Sequence, residues 1–396
     1  MESKILNKNS FLILLLISAF LFIFKWIFSY IYFDDDLSIK IIFDTKSDGY
    51  FYYIYTKSLT TLNFNNSFDT NIVDLKNLPL PFYSIFFPSL LLKIFGHSSI
   101  LIIEFICIFL FLLIFFLIFK KFNFSSIFFI LLALILFNIP TIIETLNLSS
   151  LHYFRSLDEL YNLRFPRPII VNLFYYVFIL YLLSLDKVNI FTYKTFAFLA
   201  IILSFSLSSF YYYFIIQFIS FILILFYYFK INELLNLNAL KYYFFSIGIF
   251  ILISIPFFYF LITSESDYQE RLYIINLGIE KKIILLEYLF LKLFSIKSFF
   301  LILLLSIINF LYYKKKLYNC YKVNIFFILL IASIISPFFF IIFSNKTGLV
   351  YHFTNLIVVN IFLYVFILIS NLFFKKILIF KKNLFFYIIV FTLLVF

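Results

Sequence analysis

Runs of about twenty apolar residues recur along the chain, and at 1.5 Å rise per residue each makes a helix as long as the ~30 Å hydrocarbon core of a bilayer. The first, residues 11–33, holds a single charge, Lys25. The runs are continuous rather than alternating with period two, so they read as spanning helices and not as barrel strands. Composition agrees, because 65% of the 396 residues are hydrophobic and only 13% are charged. A soluble domain of this size could not bury so much apolar surface. The expected fold class is therefore all-α, a polytopic transmembrane helical bundle of about eleven spans.

The expected spans are 11–33, 98–119, 124–140, 168–185, 191–208, 210–229, 243–262, 298–313, 323–343, 354–374 and 384–396. Residues 1–396 then form a single integral membrane domain without internal repeats. The last run ends with no flanking charge, as a truncated C-terminus would. The first helix is too long for a removed signal peptide and lacks a small-residue cleavage site. Cys107 and Cys320 lie in unrelated contexts and make no disulfide framework. A net charge of +12 raises the question of nucleic acid, but the lysines gather at helix ends, as membrane topology demands, and no nucleic-acid partner is expected.

Those lysines set the orientation. Lys4 and Lys8 precede the first span, while Lys120–Lys121, Lys314–Lys316, Lys375–Lys376 and Lys381–Lys382 follow later ones. The positive-inside rule puts all of them, and the N-terminus, in the cytoplasm. The segment 81–95 is the test of this topology. It makes a helix of only about 22 Å, it carries Pro88, and if it crossed, Lys120–Lys121 would face outward. It is therefore expected at the outer interface.

The polar chemistry falls on the outer side. Loop 34–97 holds Asp34, Asp35, Asp36, Asp44, Asp48, Asp69 and Asp74. Within it, 49–62 reads as an amphipathic helix with Phe51, Tyr55, Leu59 and Leu62 on one face, laid on the membrane. Asp48 sits where a carboxylate caps that helix or acts as a base. Asp34–Asp36 is a solvated stop after the first span or a site for a divalent cation. The loop 141–167 carries Glu144, Arg155, Asp158, Glu159 and the run Arg164-Phe-Pro-Arg-Pro168, in which two prolines stiffen the approach to the next span. Arg155, Arg164, Arg167 and Arg271 are the four arginines among 31 basic residues, and all fall outside. Guanidinium groups kept where lysine does the topological work point either to bidentate binding of phosphate or carboxylate or to headgroup anchoring. A third loop, 263–297, contains Arg271 and a second interfacial helix at 283–294. A fourth contains Lys346 and His352 at the mouth of a span, where the imidazole binds phosphate, shuttles a proton or anchors at the interface. His97, His152 and His352 lack metal-motif spacing. Inside the membrane only Lys25 and Glu104 are ionisable; Lys25 can snorkel, and Glu104 can face an outward cavity.

The succession Asp48-Gly-Tyr-Phe-Tyr-Tyr53, Pro81-Phe-Tyr83, Lys93-Ile-Phe-Gly96, Ser98–Ser99 and a span closing on Lys120–Lys121 resembles the GT-C superfamily of membrane glycosyltransferases. The likeness covers about the first 120 residues and is architectural, since the family's acidic pair stands here as Asp-Gly. It implies transfer of a sugar from a polyprenyl-phosphate donor to a glycan, lipid or protein acceptor at the outer face of a bacterial inner membrane. In that setting Asp48, with Asp44 as understudy, deprotonates or orients the acceptor hydroxyl. Arg164, Arg167, Arg271, Lys346 and His352 hold the departing phosphate. The competing reading is a transporter or lipid flippase. Such proteins carry midplane ionisable or broken-helix sites and internal repeats, and this chain has only five glycines and no visible repeat.

Overall fold

The computed structural model describes residues 8–33, 56–57, 59–60, 82–96, 99–122, 168–263, 275–276, 278–293, 303, 306–307, 310, 320–343, 346–347 and 351–377. In chain order these form α1 (Lys8–Phe33), α2 (Phe82–Phe95), α3 (Ser99–Lys121), α4 (Ile169–Leu182), α5 (Tyr193–Ser209) and α6 (Tyr211–Tyr228). There follow the one-turn α7 (Ile231–Leu234), α8 (Leu237–Thr263), β1 (Ile275–Asn276), α9 (Ile279–Leu293), α10 (Cys320–Phe343), β2 (Lys346–Thr347) and α11 (Tyr351–Ile377). Apart from connecting turns, the described chain is helical except for β1 and β2, which pair antiparallel with Ile275 opposite Thr347 and Asn276 opposite Lys346. So short a pairing leaves the fold class all-α. The strands are two residues each, in the polar loops where no helix competes for their backbone groups.

Among the described residues, four helices are long and apolar enough to cross a membrane: Ser99–Lys121, Tyr211–Tyr228, Leu237–Tyr259 and Tyr321–Phe343. The expected segments 124–140 and 384–396 lie outside the described residues, and of 298–313 only isolated helical positions are described. Helix α8 starts at Leu237, six residues before its expected first position, because Asn236 turns the chain. Its side-chain oxygen accepts the N–H of Asn238, and its carbonyl accepts those of Ala239 and Leu240. Local chemistry explains other ends in the same way. Gly96, at φ 71°, closes α2 with its N–H on the Leu92 carbonyl 3.0 Å away, a conformation glycine adopts without steric cost. Asp186 accepts the N–H groups of Val188 and Asn189 at 3.1 and 2.9 Å, turning α4 toward α5, whose first turn is capped by the Thr192 hydroxyl. A single extended residue, Phe210, joins α5 to α6.

Contacts fix the direction of each helix. Phe11 meets Phe109 and Phe22 meets Phe105, so α1 runs against α3. Phe196 packs on Tyr242 and Tyr243, and further along the Ser204 hydroxyl donates to the Phe250 carbonyl, so α5 and α8 run parallel. Tyr211 faces Phe340 and Tyr228 faces Tyr321, making α6 and α10 antiparallel. Phe340 faces Phe353 and Phe327 faces Tyr364, so α10 and α11 are antiparallel too.

Two ends emerge. The Tyr321 hydroxyl donates to Leu182 O, that of Tyr228 to Leu185 O, and the Lys322 ammonium to Lys121 O. The C-termini of α3, α4 and α6 therefore lie level with the N-terminus of α10. Lys120, Lys121, Lys187, Lys194, Lys230, Lys241 and Lys322 sit at this end with only two acids among the described residues, Asp186 and Glu233. Because α1 and α3 are antiparallel, the chain between them begins and ends at the end away from the lysines. The parity agrees with a segment 81–95 that does not cross. One contiguous apolar core, from Leu14 to Leu368, joins α1, α3 to α7, α10 and α11, with α2 and α8 packed against it.

Candidate functional site

Most residues singled out in the sequence stand at positions the structure does not reach. Asp44, Asp48, Arg155, Arg164, Arg167 and Arg271 lie outside the described residues. Of the expected helix 49–62, Thr56, Lys57, Leu59 and Thr60 are described and helical. Leu59 and Thr56 are buried within the protein, and Lys57 is exposed.

Three expectations can be placed. His352 opens α11 at the end away from the lysines. Its ring lies 5.1 Å from that of Phe210 and 5.0 Å from that of Tyr212, so the imidazole rests on the one-residue corner between α5 and α6. Lys346 is held by its backbone opposite Asn276, which brings the segment ahead of α9 to the loop that leads to His352. Glu104 lies on α3 at 1% exposure, buried among helices rather than open to an outward cavity.

Of the expected interfacial segments, α2 is described throughout. Its buried side carries Ser84, Ile85, Pro88, Ser89 and Leu92. Tyr83 reaches across to α5 and α8, its ring 4.3 Å from that of Phe205 and its hydroxyl donating to the Ile253 carbonyl at 2.6 Å. The acceptor is informative. Pro256 stands three residues later inside α8, and a proline removes one i→i−4 donor and crowds the turn before it. The carbonyl that Pro256 leaves without a helical donor is that of Leu252, so the phenol bonds its neighbour in the same turn and latches α2 to α8 there.

Helix α9, expected over 283–294, spans Ile279–Leu293 and starts just after Gly278. Leu289 is buried, while Ile279, Ile283, Ile284 and Leu291 are exposed. The Lys282 ammonium donates to Ile342 O of α10 at 3.3 Å. This amphipathic helix thus lies at the same end as His352, docked by one side.

A polar group that the sequence reading passed over lies deeper, between α4, α6 and α11. The Tyr213 hydroxyl donates to Asn172 Oδ1 and the Tyr175 hydroxyl to Asn360 Oδ1, each at 2.7 Å. Asn360 Nδ2 donates to the Leu356 carbonyl at 3.0 Å, and the rings of Tyr175 and Tyr213 are 4.6 Å apart. All four residues are at most 2% exposed. Neutral amides and phenols escape a search for charge, and a count of ionisable groups within the spans misses them. The available signal was Asn172, Gln217 and Asn360 inside otherwise apolar runs, since amides within spans pair across helices. Among the described residues, no three His, Cys, Asp or Glu side chains are grouped to hold a metal ion. No family model matches this chain, and neither a curated protein nor a solved structure is found to resemble it.

Proposed function

We propose that the chain is a multi-span membrane glycosyltransferase of GT-C type, with its N-terminus and lysine-rich end in the cytoplasm. It moves a sugar from a polyprenyl-phosphate carrier to an acceptor at the opposite, outer face. The observation that carries this reading is the arrangement of the first 121 residues. Antiparallel α1 and α3 enclose a short α2, which packs beside the outer-directed halves of α5 and α8 through Tyr83. That is the order of elements on which the family resemblance rests. A second support is that His352 and the backbone of Lys346 share that end. The surplus of lysine at the other end is the charge bias of a cytoplasmic face.

In this reaction Asp48 takes or orients the acceptor hydroxyl's proton. Arg164, Arg167, Arg271, Lys346 and His352 meet the phosphate as its charge grows. The test is Asp48→Asn in membranes supplied with polyprenyl-phosphate sugar. Asparagine caps a helix about as well as aspartate, so loss of roughly 10²–10⁴ in transfer rate at unchanged expression marks a base. Normal transfer by Asp48→Asn beside a dead Asp44→Asn moves the role to Asp44, and normal transfer by both removes the carboxylate mechanism.

A further inference from the structure

We infer that Gln217 is the contact point of a buried site for an uncharged, hydroxyl-bearing headgroup, set between α4, α6, α10 and α11 and reached from the end where His352 lies. Gln217 is 0% exposed, and neither Nε2 nor Oε1 has a hydrogen-bond partner in the protein. It lies one turn beyond Tyr213 on the buried stripe of α6, and residues four apart on a helix are neighbours. The next polar residue of the stripe, Ser220, spends its hydroxyl on the Ile216 carbonyl at 2.6 Å. Around Tyr213 stand Asn172, Tyr175 and Asn360, which satisfy one another. The unmet amide is therefore not a flaw in an otherwise apolar wall. It stands at the edge of a completed polar network.

The fourth side is α10. Its ring pairs with α6 and α11, Tyr211–Phe340 and Phe340–Phe353 above, Tyr228–Tyr321 and Phe327–Tyr364 below, set the turn from Ala332 to Ser336 level with both Gln217 and Asn360. Ala332, Ser333 and Ser336 are fully buried. Pro337 follows inside the helix and has no N–H to give the Ser333 carbonyl, so α10 can bend here. Small side chains and a broken backbone bond let α10 yield, opening a way in past His352, Tyr212 and Phe210.

The chemistry of the amide selects the ligand. Gln217 offers two donor hydrogens and an acceptor side by side. A metal cation would use the oxygen and strand the NH₂, and a phosphate would do the reverse. A hydroxyl gives and takes one bond each, so adjacent hydroxyls of a sugar or glycerol headgroup complement both ends. The neutral phenols and amides nearby carry no charge that would demand an ion. This inference goes beyond the transfer reaction and holds equally if the chain only carries such a headgroup.

The test uses the full-length protein in phosphatidylcholine nanodiscs, with octyl glucoside below its micellar concentration as probe and an octyl phosphocholine amphiphile as the comparison. The glucoside should raise the thermal midpoint by about 2–4 °C more than the phosphocholine, the shift that one tenfold gain in binding gives a chain of this order of size. Gln217→Leu should raise the midpoint of the probe-free protein, because it removes an unmet buried amide, and should abolish the glucoside-specific rise. A lower probe-free midpoint in Gln217→Leu makes the amide packing glue and overturns the inference. So does a wild type that answers both amphiphiles alike, which leaves the amide to internal water. Should the leucine variant not fold, Gln217→Cys in a Cys107→Ala, Cys320→Ala chain gives the answer. Its thiol should react roughly ten-fold faster with a neutral hydroxylated methanethiosulfonate than that of Ile224→Cys, since thiol reaction follows access. Equal rates refute an opening site.

Discussion

Removing one hydroxyl from the buried network tests whether it holds the helices together. Tyr175→Phe deletes the oxygen that donates to Asn360 Oδ1 at 2.7 Å and keeps the ring, which remains 4.6 Å from that of Tyr213. Asn360 Nδ2 keeps the Leu356 carbonyl, so the loss is confined to Oδ1. In a water-soluble core, stranding a buried acceptor costs about 1–3 kcal/mol. Within a bilayer the unfolded reference also finds partners, and interhelical bonds couple by about 0.6 kcal/mol on average and about 1.7 at most. The second range should govern here. A double-mutant cycle of Tyr175→Phe and Asn360→Leu, unfolded in mixed detergent micelles, should give a coupling of about 0.6–1.7 kcal/mol. The Tyr213 and Asn172 pair, of equal length and burial, should give the same within error. Additive single effects in both cycles would refute the claim that these bonds join α4 to α6 and α11.

Three other outcomes are expected. Cysteines at Asn66 and Ser149 should react with an impermeant thiol reagent from outside while one at Asn319 does not; reaction at 319 alone would invert the chain. Arg164→Lys or Arg167→Lys, which keep the charge and lose the planar fork, should weaken binding of lipid phosphate at unchanged expression. If both bind as wild type, the arginines are headgroup anchors. Tyr83→Phe should release α2 from α8, read as faster proteolysis or hydrogen exchange around Phe82–Phe95, with a stability loss of about 0.5–1.5 kcal/mol; unchanged exchange would show that the Phe205 ring contact holds α2 by itself.

Helix positions were legible wherever hydropathy alone decides. The expected 98–119, 191–208, 210–229 and 323–343 differ from α3, α5, α6 and α10 by three residues or fewer at each end. Polar first turns were not legible, which is why α8 and α9 begin before their expected starts. Asn236 and Gly278 act through backbone geometry and leave little trace in an apolar average. Lys120, Lys121, Lys187, Lys194, Lys230, Lys241 and Lys322 gather at one end of the packed helices, because hydrated charge is kept to helix ends. Of the candidate site, His352 stands at a helix mouth at the end away from the lysines, against Phe210 and Tyr212. The Tyr83 latch needs two segments 170 residues apart, and no local pattern announces it. The amide network was hidden by a search tuned to charge, although amides in an apolar run are costly for the same reason charges are.

The corner at Phe210 bears on how the chain enters its membrane. One extended residue, itself 7% exposed, turns α5 into α6, and neither Ser206–Ser209 on one side nor Tyr211–Tyr213 on the other brings a charge to it. A helical hairpin so closed has almost no hydrophilic chain to carry across the bilayer. Its insertion is opposed by little beyond a few hydroxyls, and its orientation is left to the lysines that stay behind, Lys187 and Lys194 before α5 has risen and Lys230 after α6 has returned. The two helices thus form one closed unit, and its corner is the floor on which the His352 ring rests.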